Sequence, residues 1–157
     1  MTERRSPLRR IPAVRRWIAQ RPTLRRTNPR REKDMANIET GLKEMMAIEG
    51  ALGAAVVDYG SGMALGTLSA TSALDLNVAA AGNTEVVRAK MRTIEQLNLN
   101  EAVEDILITL SSQYHIIRPL TSRNGQGLFL YLALDRSRGN LALARHKLKS
   151  IEGTLEV

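Results

Sequence analysis

Residues 128–135 read Leu-Phe-Leu-Tyr-Leu-Ala-Leu-Asp. In a strand, successive side chains point to opposite faces. Leu128, Leu130, Leu132 and Leu134 therefore share one face, and Phe129, Tyr131 and Ala133 share the other. A strand apolar on both faces belongs at the centre of a sheet that is covered on two sides. With 157 residues the chain is long enough for one domain of that kind. It contains no Cys, so disulfides and thiolate metal sites are excluded, which suits a reducing cytoplasm. Its apolar runs fall far short of the ~20 residues that a membrane-spanning helix needs. Arg breaks up the N-terminal stretch, which leaves no secretory hydrophobic region. A cytoplasmic location is expected.

The rest of the chain supplies partners for that strand. Asn37 is a candidate helix cap, followed by an apolar face of Ile38, Leu42, Met45, Met46 and Ile48 that ends near Gly50. Two apolar runs, 52–59 and 63–68, flank Asp58-Tyr59-Gly60-Ser61-Gly62 and predict a hairpin. Thr71 or Ser72 is the expected cap of a long helix over 73–97, with Leu76, Ala80, Val87, Met91 and Ile94 at helical spacing. Strands are expected over 104–112, 114–122 and 128–135, with Asn124-Gly125-Gln126-Gly127 as a hairpin turn between the last two. A final helix over 138–155 buries Leu141, Leu148 and Ile151, and Arg145, Lys147 and Lys149 lie toward its C-terminal half, where the helix dipole favours cations. The order αββαβββα with hairpin links predicts an α+β fold, a five-stranded antiparallel sheet covered by helices.

Charge divides the chain. Residues 1–34 hold twelve basic side chains against Glu3, Glu32 and Asp34, a net +9, so the remaining residues carry −2 of the chain's +7. Four of the five prolines also fall there. Such a segment buries too little to offset its ordering entropy, and 1–34 is expected to be a disordered basic tail ahead of a folded domain at 35–157. Within it Ile11, Val14, Trp17 and Ile18 recur at helical spacing. The tail admits three readings. It is a passive extension, or a tether through Arg9, Arg10, Arg15, Arg16, Trp17, Arg25 and Arg26 to anionic lipid or nucleic acid, or translated leader sequence ahead of a start at Met35.

Four passages over about residues 37–155 resemble the roadblock / dynein light-chain family, in its bacterial, GTPase-associated form. They are Ile48-Glu49-Gly50-Ala51-Leu52-Gly53-Ala54-Ala55-Val56-Val57-Asp58 with its Gly-bearing turn, the Ala-rich start of the long helix, Tyr114-His115-Ile116-Ile117-Arg118-Pro119-Leu120, and 129–135 leading into Asn140-Leu141-Ala142-Leu143-Ala144-Arg145. The resemblance implies a profilin-like sandwich that homodimerises through its long middle helix and a neighbouring strand. It also implies a platform for Ras-like GTPases or for motor and signalling complexes. Some bacterial relatives stimulate a partner GTPase without supplying catalytic residues. The Arg-rich tail has no counterpart in the family pattern.

Catalytic signals are thin. His115 and His146 lack a second His or a carboxylate at metal-ligand spacing, and both read as structural. No Gly-Lys-Ser/Thr phosphate loop is present, and Gly60-Ser61-Gly62 sits in a hairpin, not ahead of a helix. Glu101, Glu104 and Asp105 read as solvated surface, with contact to a basic partner as the alternative. No catalytic residue, metal or cofactor is expected. The positive signal is excess apolar surface. Val78 and Val86 lie off the Leu76–Ala80–Val87–Met91 stripe, whereas a helix resting on one sheet needs a single stripe. The expected contact with a second copy comprises Val78, Ala79, Gly82, Val86, Ile106 and Ile108. The expected function is a non-enzymatic homodimeric adaptor, regulator or scaffold for a Ras-like GTPase. Nucleic-acid or anionic-membrane binding through the tail is the alternative.

Overall fold

The structure, a computed structural model, describes residues 28–157. Three helices and five strands follow in the expected order: α1 (Pro29–Met46), β1 (Ala51–Asp58), β2 (Met63–Ser69), α2 (Leu76–Gln96), β3 (Ile106–Thr109), β4 (Gln113–Pro119), β5 (Leu128–Asp135) and α3 (Leu141–Thr154). The sheet runs β2-β1-β5-β4-β3, with every neighbouring pair antiparallel. The strand that is apolar on both faces is indeed central, and β5 is buried along nearly its whole length. Its even-numbered leucines join Ile38, Leu42 and Met45 of α1 and Ala144, Leu148 and Ile151 of α3 in one core. Phe129, Tyr131 and Ala133 join Leu76, Ala80 and Val87 of α2 in a second core on the opposite face.

Several boundaries move, each for a local reason. Helix α1 begins at Pro29, upstream of Asn37, and so runs through the segment expected to be tail. Asn28 supplies the cap, its Oδ1 accepting from Arg30 N at 3.1 Å, and Pro29 fits the first helical turn, where a missing N–H costs nothing. Asn37 lies inside the helix, and its amide donates to the Glu156 carbonyl at 2.8 Å. Helix α2 is capped by Asp75, whose Oδ1 accepts from Asn77 N (3.0 Å) and Val78 N (3.1 Å), and not by Thr71 or Ser72. The Thr71 hydroxyl instead accepts from Ala73 N within the preceding loop. Asn98, at φ 52, ends the turn beyond α2.

The third expected strand shrinks to four residues, because Leu110 N already bonds Gln113 O at 2.8 Å to close the β3–β4 turn. Between β4 and β5 the expected tight hairpin is replaced by a 3-10 turn at Arg123–Gly125, with Ser122 Oγ accepting from Gly125 N and Gly127 at φ +87. Helix α3 starts at Leu141 behind an Asn140 cap (Oδ1 from Leu143 N, 2.9 Å). Leu141 is only half-buried there, and Ala144 takes the place expected for it in the core. The remaining tail positions, among them Arg9, Arg10, Arg15, Arg16, Trp17, Arg25 and Arg26, lie outside the described residues.

Candidate functional site

Helix α2 has two unlike sides. Leu76, Ala80, Thr84 and Val87 follow helical spacing and are buried against the sheet. Thr84 lies on this face because its Oγ1 donates to the Ala80 carbonyl at 2.7 Å and needs no other partner. The outward side carries Val78 (68% exposed), Gly82 and Val86 (37% exposed), a stripe at i, i+4, i+8. A Cβ built on Gly82 would meet no atom within 4 Å, so this glycine is not needed for packing within the subunit. Ala79 is half-buried at the margin of the core beneath α2.

Val86, at the C-terminal end of the stripe, shares a groove with Ile106 of strand β3, the last strand of the sheet, which among the described residues pairs only with β4. Ile106 and Ile108 point to the α2 face and are half-buried, and Leu107 points to the other face, 37% exposed. An open groove of about 510 Å3 joins helix to strand and is lined chiefly by Val86, Ala89, Thr93, Val103 and Ile106. Lys90 and Asp105 also border it. Asp105 is fixed by Arg145 of α3, whose Nε and Nη2 donate to its carboxylate at 2.8 and 3.0 Å. Part of the acidic cluster thus clamps β3 to α3, while Glu101 and Glu104 remain exposed. The edge strand itself, Ile-Leu-Ile-Thr, carries no charge and no Pro, the usual devices that keep an edge from pairing.

Of the six residues expected at the contact, Val86 and Ile106 line one groove, Val78 and Gly82 lie on the outward side of α2, and Ala79 and Ile108 lie at the margin of the core beneath α2. Ala89, Thr93 and Val103 belong to the same groove and were missed. The first two continue the Val78–Gly82–Val86 spacing and were legible. Val103 lies in an irregular stretch with no periodicity to mark it.

Beneath α2 lies a small polar network. The His115 and Tyr131 rings meet edge to face with centroids 5.4 Å apart. His115 Nε2 lies 2.9 Å from Gln113 Oε1, and Nδ1 lies 3.1 Å from the Tyr131 hydroxyl. With Gln113 Oε1 accepting, Nε2 carries the proton and Nδ1 accepts from Tyr131. Burial pushes the Tyr131 phenol up to about 12, against a smaller opposing effect of a hydrogen bond from Asn83 of α2. Burial also lowers His115 below its ordinary value, which favours the neutral ring. This is a satisfied structural network. His146 is exposed on α3. Among the described residues no group of three or more His, Asp or Glu side chains is placed to hold a metal ion, and no helix is long and apolar enough to cross a membrane.

No protein-family model matches the sequence, and no curated protein does. Solved structures match in shape. MglB of Myxococcus xanthus is 19% identical, with 78% of this chain and 91% of that chain covered and a TM-score of 0.62. The gliding protein MglB of Thermus thermophilus is 17% identical, with 78% and 87% covered and a TM-score of 0.65. A Roadblock/LC7 domain of Streptomyces avermitilis is 10% identical, with 76% and 92% covered and a TM-score of 0.60. At such identities the likeness is one of backbone arrangement, and it extends over nearly all of each relative. The chain has the roadblock/LC7 fold, the profilin-like α+β sandwich that its four sequence passages resemble.

Proposed function

We propose that this chain is a non-catalytic homodimeric adaptor or regulator, which binds a Ras-like small GTPase or scaffolds a signalling complex. The observation that carries the reading is the outward Val78–Gly82–Val86 stripe, whose Val86 shares a groove with Ile106 of the uncharged edge strand β3. A twofold contact sets the same patch on both copies face to face. Here it lays α2 against α2 and closes the β3 edge, removing apolar surface and an open hydrogen-bonding edge together. Gly82 allows the two helix backbones a close approach. The resemblance of the four sequence passages to the roadblock family supplies the GTPase side of the proposal.

Light scattering and a GTPase assay test it. Wild-type protein is expected to be a dimer and to bind, or change the nucleotide turnover of, a small GTPase from the same cell. Gly82→Arg places a long charged side chain in space that is empty within the subunit. It also replaces Gly by a residue with a better helix propensity, worth up to about 1 kcal/mol. This variant is expected to keep its helical content and become monomeric. A wild-type monomer, or a chain that binds no small GTPase in any nucleotide state, sinks the proposal.

A further inference from the structure

The outward line of α2 is symmetrical about one residue. Asp75, Val78, Gly82, Val86, Ala89 and Thr93 are all exposed. At about 100° per residue they fall within roughly 40° of Gly82 around the helix. Val78 and Val86 stand four residues to either side of Gly82, and Asp75 and Ala89 stand seven. From Val78 to Thr93 the line itself holds no charged side chain, and charge of opposite sign flanks it near its two ends. Asp75 caps the N-terminal end, its Oδ1 accepting from Asn77 N and Val78 N. Lys90, beside Ala89, is exposed and takes part in no ion pair among the described residues. Glu85 and Arg88, on the opposite flank, pair with each other at 3.2 Å. Val86, Ala89 and Thr93 also line the groove toward Ile106 of β3, so a second helix laid along this line covers the groove's α2 wall.

Charge decides how a second α2 lies on the first. Parallel pairing about a twofold axis sets every residue against its own copy, Asp75 on Asp75 and Lys90 on Lys90, and like charges facing across an interface repel. Antiparallel pairing with the axis at Gly82 removes both clashes. Val78 then meets the partner's Val86 at the same height, and the missing side chain of Gly82 lets the backbones close toward the low end of the usual ~8–10 Å between helix axes. Lys90 lies eight residues beyond the axis and Asp75 seven before it, so Lys90 and the partner's Asp75 differ in height by only about 1.5 Å. Both are displaced from Gly82 in the same rotational sense, by roughly 80° and roughly 20°. A twofold axis normal to the helix pair preserves that side, so ammonium and carboxylate stand on the same flank of the seam.

Resting on the homodimer proposed above, we infer that two copies pair α2 antiparallel with the twofold axis at Gly82, each Val78 packing on the partner's Val86 and each Lys90 reaching the partner's Asp75. The apolar line supplies the burial, and the two symmetry-related ion pairs fix direction and register.

The chain has no Cys, so an introduced thiol is its only one. Gly82→Cys, Val78→Cys and Val86→Cys each alter an exposed position, and non-reducing electrophoresis after mild oxidation reads the result. Gly82→Cys is expected to form a covalent dimer. Val78→Cys alone, or Val86→Cys alone, puts its two thiols roughly 12 Å apart along the helices, beyond the about 7 Å between Cα atoms that a disulfide tolerates. Neither is expected to cross-link to itself, whereas the two variants refolded as an equimolar mixture are expected to give the mixed disulfide. In sedimentation on dilution, Lys90→Glu is expected to raise the dimer dissociation constant several-fold. It is expected to do so far less in an Asp75→Asn background, which keeps a good cap and removes the charge. Wild type that is monomeric by light scattering ends the homodimer and this register together. A wild-type dimer in which Val78→Cys and Val86→Cys each cross-link to themselves, or in which Gly82→Cys does not, overturns the register alone. An equal effect of Lys90→Glu in both backgrounds overturns the ion pair.

Discussion

Glu152 holds a carboxylate inside the protein, where only 8% of the residue is exposed. It accepts from Arg118 Nε of β4 and from the backbone and hydroxyl of Thr121, at 3.0 and 2.7 Å. Burial alone would raise its pKa, but the hydrogen bonds from Thr121 and Arg118, with the charge of Arg118, outweigh that and hold it below the ordinary 4.5. A carboxylate so depressed adds stability above its unfolded pKa, and that stability is lost as pH falls through the folded value. Glu152→Gln leaves the guanidinium of Arg118 buried without a counter-charge, a change that costs about 3–5 kcal/mol when one partner of a buried pair is removed. Urea unfolding at neutral pH is expected to show that loss, and a Glu152→Gln, Arg118→Met double variant is expected to recover much of it. His115 titrates in a higher window. Its folded pKa lies below the ordinary 6.5, so the unfolded chain takes up a proton first. Its contribution is complete above pH 6.5 and declines as acid brings it through the folded value. Midpoints measured between about pH 7.5 and about pH 5.5 are expected to fall in wild type and to change less in His115→Gln, which cannot titrate.

At the scale of elements, the contact of α1 with β2 depends on a missing side chain. Gly66→Ala sets a methyl group 2.8 Å from Ile38 Cγ2 and Leu42 Cδ1. Overpacking of that kind costs about 1–3 kcal/mol. Thermal melts are expected to show it, with α1 lifted from the sheet and amide exchange faster in α1 than in α3. The helix starts show how local signals compete. Asn37 and Thr71 are acceptable caps by residue type, but Asn28-Pro29 and Asp75 are the ones used. In α2 the choice follows burial. Leu76 packs over Gly53, where a Cβ would come within 3.1 Å of it, so the helix begins once Leu76 has reached the sheet. Spacing in the sequence located α2 to within a few residues but could not weigh one candidate cap against another.

For the whole molecule, self-association and stability are linked. A dimer that is favoured only when folded makes the melting temperature rise with protein concentration. Wild type is expected to show that rise in calorimetry, and Gly82→Arg is expected to melt at one temperature over the same range. Failure of both to differ would separate the fold from the proposed assembly. The two outer strands, β2 and β3, sit at opposite ends of the strand order, so a contact that closes the β3 edge leaves β2 unaffected.

Alternation and spacing within the sequence determined the central strand, the order of elements and the face of α2 that meets the sheet, because burial leaves a period of two or of about 3.6 in the residues themselves. They also marked Val78 and Val86 as surplus. Which edge of the sheet lies beside Val86 was decided only in three dimensions. The strand order β2-β1-β5-β4-β3 puts β3 at an end of the sheet and within reach of α2. The same holds for the Arg118–Glu152 pair and the Asp105–Arg145 clamp. Each joins residues far apart in the chain, and such pairings carry no local period to read.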